Sequence, residues 1–494
     1  MKIYSSTLKY LSVSLFVVFV LGIVCGKFLS LNFFFLIFLS AFLLLSALLS
    51  YKRHKLLLSD ISILFLFFFL GSVWIKPYTI ILPKDFLKDE VLVYGRIDSL
   101  PRYSGNLKTY SIGSNYVIKN KNKIYFPGFI FVRDYSSGKI TYLDYYFFNG
   151  KLRKNRYLKS GYILYLRSNS PPLLAKSSFG IRKLASIASE RITSLIKNNF
   201  PQAITPFILS IFLGKREGLR KEIKNIFANA GTSHILAISG LHIGIVSAII
   251  LLVLKMLGLK LRTRLIISIV LVICYVFICG LRSPVLRAGI MFICFSLSFL
   301  MRRKFLIFNS LALAGLINLL IRPADLFTAS FQLSFVAVFF IALGFQYFFP
   351  KAKNVNFFEN VKILFFMSVF ANTGLMPLIS LYFGKIYFLN IFTNILIIPY
   401  LGLIFSSLFV FIAIYIINPL RMLVSVSCSF LIALFFKINH LFSKIPFGYV
   451  EYKFSEAGVF LYYTLLFTLA FSARLFYLKR QARKMGSPTK FNPS

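Results

Sequence analysis

Long apolar stretches dominate the chain. Each has about 18 or more residues with few charges, which is the length that a helix needs to cross the roughly 30 Å hydrocarbon core of a bilayer. Three lie near the start of the chain, and the others follow residue 231. The pattern predicts about 10–12 transmembrane helices, expected near residues 10–26, 30–50, 57–75, 235–254, 263–280, 284–300, 305–321, 328–348, 363–380, 386–417, 420–436 and 457–475.

The stretch at 386–417 is longer than one crossing requires, and it contains Asn390, Asn394 and Pro399. Irregular backbone is tolerated at membrane depth where it lines a cavity or is buried in protein. A broken or re-entrant helix therefore remains an alternative to one long helix, and it would reduce the number of crossings to ten or eleven.

Between residues 84 and 178 the pattern changes to alternation. Five short runs rich in Val, Ile, Tyr and Phe are separated by Gly, Asn and Ser, which is typical of β-strands. These runs predict a small β-barrel. They cover residues 90–98, 109–118, 123–135, 141–152 and 162–167.

A polar, partly amphipathic segment follows the predicted barrel at residues 181–231. Its apolar run Pro206–Leu213 is too short to span a bilayer, so we expect it to form a helix at the membrane interface. The predicted organisation has five parts: residues 1–80 with three helices, 84–178 with the barrel, 181–231 with interfacial helices, 232–478 with the remaining membrane helices, and the basic tail 479–494.

Charge refines this picture. The 494 residues include 58% hydrophobic residues and carry a formal net charge of +43. The predicted barrel holds 17 Lys or Arg against 6 Asp or Glu, so its surface should attract polyanions. The short loops between apolar stretches are also basic. Placing those loops in the cytoplasm, with twelve crossings, puts both termini inside and the barrel outside the membrane.

One group of polar residues lies in Gly231–Gly244, GTSHILAISGLHIG. If this segment is one helix, His234 and His242 lie about two turns apart on one face, with Ser239 and Gly240 nearby. Gly240 and Gly244, which are four residues apart, form a pair that permits close helix contact. A packed helix interface with hydrogen-bonded histidines is the alternative, and metal binding is not expected because no Asp, Glu or Cys is close.

Three further polar residues interrupt apolar stretches: Arg287, Gln332 and Asn394. A polar side chain in a membrane helix is costly, so it should face a partner, a cavity or a pathway. Arg287 can alternatively extend its charge to the interface. Gln332 and Asn394 fit a hydrogen bond between helices as well as a pore lining.

Four segments, in this order, resemble the ComEC-type competence family of inner-membrane DNA translocases. LGKREGLRKEIKNIFANAGTSHILAISGLHIG at Leu213–Gly244 is similar to the core signature of that family. RSPVLRAGIM at Arg282–Met291, RPADLFTASFQLSFVAV at Arg322–Val338 and YFGKIYFLNIFTNILIIPYLG at Tyr382–Gly402 are similar to its later motifs. The resemblance is close over residues 200–450 and looser before them.

The resemblance implies a polytopic α-helical membrane protein in the bacterial inner membrane, with an extracytoplasmic barrel of the oligonucleotide-binding (OB) type. It implies import of one DNA strand through the helical domain. The motif match makes His234, Ser239, Gly240, His242, Arg287, Gln332 and Asn394 candidates for the channel pathway.

A basic OB-type barrel can hold phosphates through Lys and Arg and stack bases on aromatic rings. Tyr94, Tyr110, Tyr125, Tyr145 and Tyr146 are candidates for stacking, although alternate aromatic residues of each strand must fill the barrel core. The DNA-binding candidates are Arg96, Arg102, Lys108, Lys121, Lys123, Lys151, Arg153, Lys154 and Arg156.

The sequence departs from many family members at its end, where no β-lactamase-like domain is expected. No HxHxDH pattern occurs among the four histidines, and no GxxxxGK[ST] loop is present. We therefore expect neither an enzyme nor a cofactor or metal. The resemblance implies an outer DNA receptor as a partner, and a cytoplasmic translocase and a separate nuclease are expected if the strand is pulled and its complement degraded. The chain could also associate with further copies of itself as a homo-oligomer.

A permease or flippase for an anionic lipid or polymer is the principal alternative, because the same topology suits it. In that case the basic barrel would bind lipid head groups. A membrane-bound nucleic-acid hydrolase and a family member that no longer transports are further alternatives, which the absent metal ligands and the intact motifs disfavour.

Overall fold

The computed structural model describes most of the chain. The described residues are 11–28, 36, 39–44, 46, 56–76, 82–98, 102–104, 107–119, 122–126, 129–137, 140, 144–154, 162–176, 180–216, 218–348, 356–415, 417–445 and 448–485. The predicted helix at 30–50 and the predicted tail at 479–494 lie largely outside them.

Eight strands form one sheet in the region where alternation predicts a barrel. Inward residues are buried and outward residues are partly exposed, as in Glu90–Ile97. The strands are β1 (Glu90–Ile97), β2 (Arg102–Ser104), β3 (Leu107–Lys119), β4 (Asn122–Tyr125), β5 (Phe129–Asp134), β6 (Tyr145–Lys154), β7 (Tyr162–Leu166) and β8 (Leu173–Lys176).

Five of these strands close into a barrel in the order β1-β3-β5-β7-β6, with β6 pairing back to β1. All neighbouring pairs are antiparallel except β5 and β7, which are parallel. The predicted run 123–135 is divided between β4 and β5. The observed barrel confirms the small OB-like domain expected from the sequence.

A β-bulge changes which side chains of β3 face outward. Tyr94 of β1 is opposite Tyr116, whereas the next residue, Gly95, is opposite Ser114, so Asn115 is an extra residue in β3. The buried residues therefore have even numbers before the bulge and odd numbers after it. A bulge of this kind bends the strand and increases its twist, which helps the sheet to close.

Seven described helices are long and apolar enough to cross a membrane, and four shorter apolar helices accompany them. The polytopic helical class is thus confirmed, whereas the number of about 10–12 crossings stays a prediction. The helices are α1 (Leu11–Phe28), α2 (Leu56–Ile75), α3 (Ile181–Asn199), α4 (Thr205–Phe212), α5 (Lys221–Asn229), α6 (Gly240–Met256), α7 (Leu261–Ile278), α8 (Ser283–Leu300), α9 (Ile307–Ile321), α10 (Ala329–Phe348), α11 (Phe357–Phe383), α12 (Asn390–Ala413), α13 (Asn418–Ser443) and α14 (Glu456–Met485).

Two helices differ from the sequence-based expectation. α12 is continuous through Pro399, so the alternative of a broken helix at 386–417 is not what the structure has. α4 was expected at the membrane interface, but its side chains are buried in the helical core, where Phe207 packs against the ring of Phe435. Its short length therefore reflects packing inside protein, where a helix need not span a bilayer.

The barrel contacts the rest of the chain through α3. Lys183 near the start of α3 places its Nζ 2.9 and 3.0 Å from the two carboxylate oxygens of Asp144, which is buried beside β6. α3 also packs along α7. We call α3–α14 the helical unit. This ion pair holds one edge of the barrel against that unit.

Candidate functional site

A row of aromatic side chains crosses four strands on the outer surface of the barrel. Tyr145, Tyr94, Tyr116 and Tyr125 belong to β6, β1, β3 and β4. Consecutive ring centroids are 5.6, 6.5 and 5.6 Å apart, and the first two pairs are stacked. Such spacing is normal for interacting rings. We call these four tyrosines the aromatic row.

A positive charge lies over the third ring of the row, and further aromatic surface lies at its side. The Nζ of Lys123 lies 3.8 Å from the ring centroid of Tyr116, within cation–π range. Phe147 lies 5.1 Å from Tyr94. Tyr125 is 56% exposed, so the end of the row near Lys123 is open to solvent.

Two of the five tyrosines predicted to stack on bases are placed differently. Tyr110 and Tyr146 are each 3% exposed and belong to the barrel core, so the prediction is wrong for them. Tyr110 also donates to buried Asp134. The reason is strand alternation, which gives every second aromatic residue to the core.

The predicted cations fall into two groups. Lys123, Lys151, Arg153 and Lys154 are exposed. Arg153 also lies over the ring of Tyr165, with Cζ 5.6 Å from its centroid, and forms a second basic and aromatic surface. These four residues are placed where a polyanion can reach them.

The other candidates are engaged or undescribed. Arg96 forms an ion pair with Asp98 at 2.8 Å, and Lys108 lies 3.6 Å from buried Asp134, so both bind carboxylates of the barrel. Lys121 and Arg156 lie outside the described residues, as does the side chain of Arg102. The roles of all nine in DNA binding stay predictions.

The histidine-containing segment is not one helix. α6 begins at Gly240, with Ser239 as its N-cap, and His234 lies in the preceding turn. The prediction that the two histidines share a helix face is therefore wrong. The cause is a capping box: the backbone N–H of Ser239 donates to Nδ1 of His242 at 3.0 Å, and this bond fixes the start of the helix.

Arg287 lies one turn inside α8 and is only 5% exposed. Its Nε donates to Ser334 Oγ of α10 at 2.9 Å, and its Cζ lies 5.8 Å from the ring centroid of Phe335. Its Nη2 occupies the space beside Gly240, where any Cβ would overlap it. Gly240 thus lets the guanidinium lie directly against α6, and a larger residue there would make Arg287 shift.

No carboxylate among the described residues forms an ion pair with Arg287. Burying a charge costs several kcal/mol unless an opposite charge or hydrogen bonds offset the lost hydration. Here one hydroxyl and one ring face the guanidinium, and Nη1 has a weak contact with Met291 Sδ. Among the described residues, the guanidinium thus has neutral neighbours and no carboxylate partner.

The remaining candidates lie apart from Arg287. Gln332 donates to the carbonyl of Leu326 at 3.0 Å and accepts from the hydroxyl of Tyr382 at 2.8 Å, so it connects two helices. Asn394 lies in the first turns of α12, and within the described chain its buried Oδ1 has no hydrogen-bond partner. The side chain of His234 is exposed.

Some residues of these sites escaped the sequence analysis. Ser334 was not selected, although it lies in the motif that contains Gln332 and is four residues after Ser330. Tyr116 and Phe147 were also missed. Alternation within β6 identifies Phe147 as outward, because its neighbour Phe148 is buried. No such signal exists for Tyr116, because the bulge at Asn115 shifts the alternation.

A comparison with protein families identifies residues 211–476, more than half of the chain, as matching the model described as Competence protein. The chain belongs to this competence protein family. The matched region contains α6, α8 and α10, which hold Gly240, Arg287 and Ser334. Most of the helical unit of this competence family member, from residue 211 onwards, thus lies in the matched region.

Comparisons with individual proteins support the same family. ComE operon protein 3 of Bacillus subtilis is 27% identical over 198 residues, which cover 39% of this chain and 24% of the relative. An uncharacterised protein of Aquifex aeolicus is 29% identical over 238 residues, 47% of this chain and 51% of the relative. Recombination protein 2 of Haemophilus influenzae is 25% identical over 181 residues, 35% and 23%. The chain matches about a quarter to half of these relatives, and no solved structure matches it.

Proposed function

We propose that this competence family member takes part in DNA uptake and conducts a single DNA strand across the bacterial inner membrane. The aromatic row, with Lys123 over the ring of Tyr116, is the observation that carries this proposal. Bases stack on aromatic rings with little dependence on sequence, and basic side chains hold the phosphates. In a duplex the faces of the bases are covered, so a surface row of rings favours a single strand.

The helical unit supports the same proposal. Arg287 is a buried cation with a hydroxyl and a ring as neighbours. It lies in the region that matches the family described as Competence protein, and one relative is named Recombination protein 2. A phosphodiester backbone carries one negative charge per nucleotide. A fixed guanidinium can stabilise each charge in turn as the strand moves.

In this proposal the chain is a transporter without catalytic activity. Its termini lie in the cytoplasm and the barrel outside, as the basic loops predict. An outer receptor delivers DNA, a separate nuclease removes the second strand, and a cytoplasmic translocase or the proton gradient drives movement. These partners follow from the proposal and from the sequence, which contains no nucleotide-binding loop.

The decisive experiment is DNA import in the native organism after deletion of the gene, under conditions that permit competence. Fluorescent DNA should still bind outside the cell but should not reach the cytosol. Wild-type complementation should restore entry, with protein levels checked in membranes. Unchanged cytosolic DNA in the deletion strain would contradict the proposal, and a permease for an anionic lipid or polymer would then be the hypothesis to test.

A further inference from the structure

A cavity of about 380 Å³ lies where the barrel meets the helical unit. We call it the junction pocket, and its size is within the range of small-molecule sites. Barrel residues form one side, and α3 with the helix ends of the helical unit form the others. Its charged lining residues are Lys215, Arg216, Arg282, Arg322, Asp98 and Asp325.

The lining has four cations and two carboxylates. One of the carboxylates, Asp98, already forms an ion pair with Arg96 at 2.8 Å, on the barrel side. The pocket therefore has an excess of positive charge. A concave surface with such an excess concentrates the electric field and attracts anions.

One face of α3 forms a polar wall of the pocket. Ser186 and Ser189 line the cavity. On the same face, at helical spacing, Lys183 binds barrel residue Asp144, and Thr193 accepts from Nζ of buried Lys215 at 2.7 Å. The wall is thus anchored to the barrel at one end and to a cation of the helical unit at the other.

A strained turn places a second cation against Gly214, the residue before Lys215. Gly280 and Leu281 both have positive φ, at 79° and 51°, and this conformation is unfavourable for leucine. The turn directs Arg282 over Gly214, where an added Cβ would lie 3.2 Å from the guanidinium carbon. Arg282 and Lys215 thus both belong to the lining of the pocket, and their positive charges favour an anion there.

The pocket also leads towards Arg287. Ser283 and Ser330 line it, and each lies four residues before a member of the buried pair, Arg287 on α8 and Ser334 on α10. Four residues of α-helix rise about 6 Å, on one face. The guanidinium of Arg287 is thus about one helical turn beyond the pocket.

We infer that the junction pocket binds a phosphodiester group of the DNA strand as it passes from the barrel to the helical unit. The inference rests on the proposed function and adds a specific site to it. The participation of barrel residues in the lining favours DNA over a lipid head group, because the barrel carries the aromatic row.

The test uses the full chain in nanodiscs of phosphatidylcholine and a fluorescent oligothymidylate, with affinity measured at several salt concentrations. Each phosphate contact contributes roughly 0.7 to the slope of log K against log salt for single strands. We expect R282Q to weaken binding about tenfold and to lower the slope by roughly 0.7. R282K should keep the slope, because it keeps the charge. R322Q provides a second pocket variant if R282Q does not fold.

R262Q is the matched control. Arg262 is exposed at the start of α7, whereas the end of that helix borders the pocket, so its loss should leave the slope unchanged. Wild-type slopes for both R282Q and R322Q would overturn the pocket inference and leave the proposed function intact. An effect that appears only with phosphatidylglycerol in the nanodisc would identify a lipid head-group site instead. Absence of oligonucleotide binding by the wild type would overturn both proposals.

Discussion

The barrel and the helical unit use positive charge in opposite ways. In the barrel, Lys123, Lys151 and Arg153 are exposed, and each is one of several cations on a hydrated surface. In the helical unit, Arg287 is 5% exposed and lies between a hydroxyl and a ring. The first arrangement acts through the number of charges, the second through the position of one.

This difference has a physical consequence. Exposed charges are screened by salt and individually contribute little, whereas a desolvated charge interacts strongly and only with what lies beside it. The barrel should therefore tolerate single substitutions, and its binding should depend on ionic strength. DNA import through the helical unit should be lost when the single residue Arg287 is changed. The following predictions test that contrast.

The largest effect is expected for R287M. Methionine fills similar space without a charge, so the thermal stability should be unchanged or higher. DNA import should nevertheless fall at least about tenfold, since a charge-assisted hydrogen bond contributes roughly 1.5–3 kcal/mol. R303Q, in an exposed loop, is the control and should import normally. Import at the wild-type level by R287M would show that the helical unit does not depend on this charge.

The next effect is expected for Gly240→Ala. The new methyl group would overlap Nη2 of Arg287, so the end of this flexible side chain must move away from its place beside α6. Import should fall several-fold because the charge is displaced, with a melting temperature close to that of the wild type. Gly244→Ala is a matched control on the same helix, because nothing lies within 4 Å of its Cβ position. If both variants behave alike, the close contact between Gly240 and Arg287 has no functional role.

In the barrel, Tyr125→Ala should weaken binding of the oligothymidylate to the full chain about fivefold, which corresponds to roughly 1 kcal/mol for one lost stacking contact. Tyr135→Ala is the control, because Tyr135 is also exposed in the barrel but is not part of the aromatic row. Equal affinities for the two variants would show that the aromatic row does not contribute to DNA binding. Import by Tyr125→Ala should fall less than import by R287M.

The smallest effect concerns pH and Asp325. Burial raises the pKa of this carboxyl, and the charge of Arg322 partly opposes the shift. As the pH falls through that raised pKa, Asp325 becomes neutral and the junction pocket becomes more positive. Oligonucleotide binding should then tighten roughly twofold. D325N should bind at neutral pH as the wild type does at low pH and should lose this part of the pH dependence, which a titration of affinity would detect.

The sequence predicted the larger features of the fold well. The length of the apolar stretches predicted the positions of the helices, and the alternation of apolar and polar residues predicted the barrel. Both are predictable because the residues of a segment reflect whether it faces lipid, water or a protein core. The prediction was less successful for α4. A short apolar run is compatible with a membrane interface or with a protein core, and only its neighbours, such as Phe435, determine which.

The candidate site was predicted in part. Arg287 and Gly240 were selected separately, and the structure brings them together. Ser334 was missed, because serine is common in membrane helices and its partner is 47 residues away. Two tyrosines were assigned to the wrong side of the barrel, since composition does not specify which face a strand residue occupies.

Membrane segments, the barrel and an excess of basic residues are thus properties of the sequence alone, because each depends on local residue type and period. The aromatic row, the guanidinium over Gly240 and the junction pocket were decided only by tertiary structure. Each depends on which residues from distant segments meet. A bulge at Asn115 reverses the faces of β3, and a capping box makes α6 start only at Gly240. Small local departures of this kind determine where the functional side chains point.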